Sequence, residues 1–146
     1  MKTITVLVIV AAVASSVQAA NCGVVPTQFA LTSFISTPSP PCIGRQLCIS
    51  VSGTLNTPII EGSKLNIAGK FLNHLVYADN YDLCKLLADQ GTPCPLPITT
   101  TDATVCINVK TNAPPNVGSN VTFAAFNGDG GTIWCEETKG VVVKNC

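Results

Sequence analysis

The chain has 146 residues, 47% of them hydrophobic and only 11% charged, and its eight basic and eight acidic side chains cancel to a net charge of zero. Near neutrality without a basic run gives no electrostatic footprint for nucleic acid or for a strongly anionic membrane. A single histidine, His74, rules out a multi-histidine metal site.

At the N-terminus Lys2 precedes an apolar run from Ile4 to Val13 and small residues ending Val17-Gln18-Ala19-Ala20. That is the pattern of a secretory signal peptide over residues 1–19. The run is too short to cross a bilayer, and no later stretch approaches the roughly 18 consecutive apolar residues that crossing needs. All eight cysteines follow it, an even count in an oxidising compartment, so four disulfides are expected. The remainder, residues 20–146, is expected to be one soluble, secreted domain, long enough to bury about two-thirds of its unfolded surface.

Pro38-Ser39-Pro40-Pro41 reads as a stiff loop between strands. Leu47, Ile49 and Val51 then alternate with Cys48, Ser50 and Ser52, and Leu65, Ile67, Gly69 and Phe71 alternate with Lys64, Asn66, Ala68 and Lys70. Between residues 81 and 97 the period changes. Leu83, Leu86 and Leu87 recur at helical spacing, Asp82 can serve the first turn, and Gly91 followed by Pro93 stops the helix. If Cys84 and Cys94 bond, they close this turn into a small ring worth roughly 2–4 kcal/mol. Such a ring could form the leucine-bearing rim of an apolar pocket or simply plug a core. Further on, Val105, Ile107 and Val109 alternate with Thr104, Cys106, Asn108 and Lys110. Val121, Phe123 and Ala125 lead into a hairpin at Asn127-Gly128-Asp129-Gly130-Gly131, followed by Thr132-Ile133-Trp134-Cys135. On strict alternation Phe126 and Trp134 fall in the opposite phase, unless a bulge shifts the register. Val141 to Val143 would extend the last strand beyond Gly140. Short strands with glycine and proline punctuation and one helical turn predict an all-β fold, a sandwich of two antiparallel sheets.

A sandwich of this length does not need four disulfides to fold. An apolar void of about 300 Å³ would cost on the order of 7 kcal/mol, which two or three disulfides roughly offset, so the cysteine excess points to a cavity between the sheets. Catalysis has little to work with. Asp79 and Asp82 flank Tyr81 but read as a solvated turn that caps the helix, and Glu136-Glu137 project to opposite faces of a strand. Oxidised cysteines supply neither nucleophile nor zinc ligand. No enzyme activity, cofactor or metal is expected. Asn120-Val121-Thr122 is an N-glycosylation acceptor.

Several pieces, in this order and spacing, resemble the MD-2-related lipid-recognition family, which includes Niemann-Pick C2 type sterol carriers and fungal phosphatidylglycerol/phosphatidylinositol transfer proteins. They are Asn21-Cys22-Gly23, Pro41-Cys42 with Cys48 six residues on, Cys84 with Cys94-Pro95-Leu96, and Cys135 in the last strand. The resemblance implies an immunoglobulin-like β-sandwich whose sheets splay around a lipid, with bonds Cys22–Cys135, Cys42–Cys48 and Cys84–Cys94. Cys106 and Cys146 lie outside the family's six-cysteine pattern and by parity would pair. The segment Val109-Lys110-Thr111-Asn112-Ala113-Pro114 resembles the Val-Lys-x-x-aromatic-Pro segment of the sterol carriers. Ala113 in place of the aromatic implies a wider mouth. Val76 or Tyr77 stands nearest to an aromatic that lines the family's entrance.

The function expected is that of a secreted lipid-binding and transfer protein enclosing a sterol or phospholipid acyl chains. It would act as a monomer in transient contact with membranes, either outside the cell or in an endolysosomal or vacuolar lumen. Ile67, Phe71, Val76, Tyr77, Leu96, Val109, Ala113, Phe123 and Ile133 would line the pocket, and Leu86 or Leu87 would form a flexible rim. The headgroup would sit at a mouth near the Cys84–Cys94 loop, within reach of Lys70, His74 or Lys110. Two rivals are a secreted interaction or effector protein with a closed sandwich core, and a hydrolase, which the residue inventory disfavours.

Overall fold

The structure, a computed structural model, describes residues 20–22 and 26–146; the expected signal peptide lies outside the described residues. In order come β1 (Ala20–Asn21), β2 (Phe29–Thr37), β3 (Gln46–Leu55), β4 (Lys64–Phe71), β5 (His74–Asp82), α1 (Leu83–Asp89), β6 (Asp102–Asn108), β7 (Ser119–Phe126) and β8 (Thr132–Gly140). They form a five-stranded antiparallel sheet ordered β1-β8-β7-β4-β5, facing a three-stranded antiparallel sheet ordered β2-β3-β6. This is the two-sheet sandwich that the alternation predicts. Leu47, Ile49 and Val51 of β3, Leu65 and Ile67 of β4 and Val105 and Ile107 of β6 are all buried between the sheets.

The two ends of the sandwich differ. At one end the interior is filled. Leu83 and Leu87 of α1 are fully buried with Phe29, Ile59, Leu65 and Trp134. The Asp82 side chain caps α1 by accepting from Lys85 N–H at 3.0 Å. Gly91, in the left-handed region at φ +83°, ends the helix, a conformation that costs glycine least. Buried Asn127 ties the same end together. Its Oδ1 accepts from Ile60 N–H and Ser63 Oγ at 3.0 Å each and from Gly128 N–H at 2.8 Å, and its Nδ2 donates to Gln28 Oε1 at 2.7 Å and Pro58 O at 2.8 Å. From sequence alone Asn127 is expected only to form the hairpin turn.

Four disulfides are present, two of them with the partners that the family resemblance implies, Cys22–Cys135 and Cys84–Cys94. The other two correct the expected pairing: Cys42 bonds Cys146, and Cys48 bonds Cys106. The reason is register. Cys48 and Cys106 stand directly opposite each other on β3 and β6, on the outward face expected for Cys106. Cys42 remains in the preceding loop, where Ile43 N–H to Val143 O at 3.0 Å and Val143 N–H to Pro41 O at 2.9 Å bring the C-terminus alongside it. Those contacts also end the last strand at Gly140. Val142 and Val143 form isolated bridges with Pro115 and Cys42 instead of extending β8.

A bulge resolves the phase of Trp134. β7 and β8 shift register between Ala125 and Phe126, leaving Ile133 as an extra residue between the Ala125–Trp134 and Phe126–Thr132 pairs. Ile133 and Trp134 are both buried as a result, and Phe126 is half-buried. The Trp134 ring meets Phe29 edge-on, with centroids 6.4 Å apart.

Candidate lipid-binding cavity

At the other end the sheets part around a cavity of about 580 Å³, well inside the range of small-molecule sites. Its walls come from the ends of strands that finish or begin there: Phe34 of β2, Ile67 and Gly69 of β4, Val76 and Tyr77 of β5, Ile107 of β6 and Phe123 of β7. Val109, Ala113 and Pro114, just past β6, close one side, and Pro40, Pro41 and Val142 close another. Polar lining is confined to Tyr77, serine and threonine hydroxyls at Ser36, Ser39, Ser119 and Thr138, and one cation, Lys139. Phe34 and Phe123 approach across the two sheets with ring centroids 5.4 Å apart. Gly69 helps to keep the space open. It continues the inward phase of Leu65 and Ile67, and a Cβ there would already come within 3.3 Å of Tyr77 Cβ.

Of the residues expected to line a pocket, Ile67, Val76, Tyr77, Val109, Ala113 and Phe123 converge on this cavity. The others do not. Leu87, Leu96 and Ile133 are buried in the core, away from the cavity wall, and Leu86 packs half-buried against that core. Phe71 keeps the inward phase of β4 but lies beyond the last packed layer. There β4 and β5 shift register between Gly69 and Lys70 and turn through Leu72 and Asn73, leaving Phe71 41% exposed. The expected mouth beside Cys84–Cys94 is corrected as well, because that ring follows the far end of β5 and closes the filled end of the sandwich. Phe34, on β2, is the lining aromatic that the sequence reading missed. It shares the buried side with Phe29 although the two are five residues apart, because β2 changes register against β3 between Leu31 and Ser33, which breaks the period.

Beside the cavity the two sheets are clasped along one edge. Lys110 Nζ lies 3.1 Å from Asp79 Oδ1 on β5 and 3.4 Å from Ala78 O, while Tyr81 OH donates to Asp79 Oδ2. Burial pushes the Asp79 carboxyl upward. The hydrogen bonds from Tyr81, Lys110 and Asn80 N–H, together with the Lys110 charge, outweigh it and hold Asp79 below the ordinary aspartate value. Burial and the bond to Asp79 push the Tyr81 phenol well above its usual range. Asp82 points the other way and caps α1, so it and Asp79 make no acid–base pair. On β8, burial raises the Glu136 carboxyl; it pairs across β7 with Phe123 and so shares the inward face. Glu61 lies near Cys84 and Cys94, but both sulfurs are bonded to each other and offer no thiolate. Asn120 is exposed on the outer face of β7, paired with Lys70 on one side and Lys139 on the other.

A family model described as the ML domain matches residues 16–139. The phosphatidylglycerol/phosphatidylinositol transfer protein of Kluyveromyces lactis is 30% identical over 101 residues, covering 67% of this chain and 58% of that protein. Its counterpart in Aspergillus oryzae is 29% identical over 107 residues, covering 73% and 61%. The chain thus spans about three-fifths of the length of these relatives. Among solved structures, a Niemann-Pick type C2 protein from Japanese carpenter ant superposes with a TM-score of 0.64 at 17% identity, covering 86% of this chain and 98% of that one. It shares the fold.

Proposed function

On the premise that this chain belongs to the ML-domain family, we propose that it is a secreted, non-enzymatic carrier that holds lipid between its sheets and passes it between membranes. The observation behind this reading is the apolar cavity of about 580 Å³ at one end of an otherwise filled sandwich. At roughly 24 cal/mol per Å³, an unfilled apolar space of that size would cost up to about 14 kcal/mol, comparable to the whole stability of an ordinary domain. Water entering at the rim lowers that ceiling. An apolar occupant removes it and contributes about 0.8 kcal/mol for each CH₂ it buries.

Phospholipid acyl chains suit the cavity better than a sterol. Ala113 leaves its side of the wall low, the rim carries hydroxyls and Lys139, and the relatives named above are phospholipid transfer proteins. Acyl chains would lie against Phe34, Ile67, Val109 and Phe123, with the headgroup at the rim. The rival reading, an interaction protein with a closed core, needs a filled interior, which this end of the sandwich lacks. The four disulfides fit an oxidising, extracytoplasmic compartment. Mass spectrometry of an organic extract of the purified, secreted protein should find phospholipid in near-stoichiometric amount. An extract free of lipid, together with failure to take up any phospholipid or sterol supplied afterwards, would refute the carrier.

A further inference from the structure

We propose that Asn120 carries an N-linked oligosaccharide, attached before β7 enters its sheet, and that this glycan then shields the outer face of the five-stranded sheet. The modification rests on the secreted part of the reading above and falls on a surface that lipid binding does not use. The acceptor triplet Asn120-Val121-Thr122 lies within β7. Its side chains divide between the two faces of the strand. Val121 turns inward and lines the cavity, so Asn120 and Thr122, one residue to either side, turn outward together. The amide that receives the sugar and the hydroxyl that completes the acceptor thus share the outer face, where Asn120 is exposed.

That face has room for sugar. Pairing across the sheet sets Asn120 between Lys139 of β8 and Lys70 of β4, with Cβ atoms about 5 Å away on each side. The next outward row along the strands reads Glu137, Thr122, Ala68 and Ala78. Thr122 and the two alanines stand little above the backbone, so the first sugars can lie down over them. Asn120, Lys70, Lys139 and Ala78 are all exposed. Among the described residues, no second layer covers the face at these positions, as an antiparallel sheet permits.

The order of events follows from the place of the strand. β7 is paired on both sides, with β8 and with β4. The backbone around Asn120 is engaged in both ladders, and Val121 packs against the core. A transferase that must close around the triplet can reach it only while the chain is free, before the β7–β8 hairpin forms and the Cys22–Cys135 bond secures β8. In the transfer, Asn120 Nδ2 forms a bond to C1 of the first N-acetylglucosamine. The C1–O bond to the pyrophosphate of a lipid-linked oligosaccharide breaks, and the lipid pyrophosphate leaves with that electron pair. Nδ2 gives up one proton to a base on the transferase, and nothing is oxidised or reduced. Folding can then proceed, because the modified side chain ends on the solvent face and the sugar never has to cross the sheet.

The test is expression of the full chain in a eukaryotic secretory cell, with the secreted protein then treated with an amidase that removes N-glycans. Wild type and Thr122→Ser should each migrate as a heavier band that the amidase collapses, and peptide mapping should find Asn120 converted to aspartate. Thr122→Ala and Asn120→Gln should both lose that shift. Acylation of Lys70 and Lys139 by a water-soluble amine reagent should be slower on the glycosylated protein than on Thr122→Ala, whereas Lys85 on α1 should react alike in both. Given to transferase-bearing membranes with lipid-linked oligosaccharide, the reduced, unfolded chain should accept a glycan and the oxidised, folded chain should not. A wild-type chain secreted without glycan would overturn the modification and leave the carrier reading intact. A chain retained in the cytosol without glycan would overturn the modification and the secreted reading together. Equal acylation of Lys70 and Lys139 with and without the glycan would overturn the shielding, and equal modification of folded and unfolded chains would overturn the order of events.

Discussion

Replacing Val109 with Phe separates a carrier from a closed sandwich most directly. Val109 is 6% exposed, and its backbone is fixed on both sides: its N–H donates to Arg45 O, and its O accepts from Gly44 N–H, both at 2.9 Å. The larger ring cannot escape by moving the strand, so it must enter the cavity. There it would displace the equivalent of two to four acyl methylenes. At about 0.8 kcal/mol each, that is roughly 1.5–3 kcal/mol of lost affinity, or about 10- to 200-fold. The fold should not suffer, because the ring gains apolar contacts in space that the protein already leaves open. In a filled core the same change would cost about 1–3 kcal/mol, lowering the melting temperature by very roughly 4–12 °C. The assay pairs a fluorescent acyl-lipid titration with thermal melts of delipidated wild type and variant. A variant that melts several degrees lower would refute the reasoning, as would one that binds lipid with unchanged affinity.

Non-reducing peptide mapping should recover Cys48 linked to Cys106 and Cys42 linked to Cys146; a Cys42–Cys48 peptide would contradict the β3–β6 register. Asn127→Ala strands buried donors and acceptors at the filled end and should destabilise by about 2–4 kcal/mol, seen as a lower thermal or denaturant midpoint. Two carboxylates shape the pH profile in opposite senses. Asp79 is held low, so its contribution is present at neutral pH and is lost as pH falls below about 4. Glu136 is raised, so its contribution is present in acid and is lost as pH rises through its elevated value. Melts across pH should therefore show Glu136→Gln gaining on the wild type toward neutrality and matching it near pH 4, as judged from ordinary carboxylate values. Asp79→Asn should lose its disadvantage only in strong acid.

Alternation made the sheets legible because period-two patterns in β3, β4, β6 and β7 survive wherever the strands stay in register. It failed at the three register shifts, in β2, at the β4–β5 hairpin and at the start of β8. Phe34, Phe71 and Trp134 sit beside those shifts, and one residue of slippage reassigns a side chain's face. Placing the mouth at the Cys84–Cys94 ring was a different kind of error. That ring precedes β6 and Val109 follows it, and a seven-residue strand separates its two ends by about 23 Å. The two could not both lie at one mouth, a contradiction already present in the strand assignment. The partners of Cys42, Cys48, Cys106 and Cys146 were not legible, since Cys42 and Cys48 are neighbours in sequence while the bonds follow spatial neighbours set by the β3–β6 ladder and by the returning C-terminus.

The division into a filled and an open end explains where the covalent bonds fall. The filled end has Asn127, α1 and close-packed aromatics to hold it, and the Cys84–Cys94 ring ties down only the segment that follows α1. The open end has no core behind its walls. Pro40 and Pro41 on one side and Val141 and Val142 on the other line the cavity from irregular chain, joined through the isolated bridge of Cys42 with Val143 and through the Cys42–Cys146 bond. A wall without packing can keep its shape when an occupant leaves only if something other than packing holds it. On the carrier reading proposed above, that covalent link would keep the cavity from collapsing when lipid leaves, while Cys48–Cys106 braces the outer face of the thinner, three-stranded sheet against splaying.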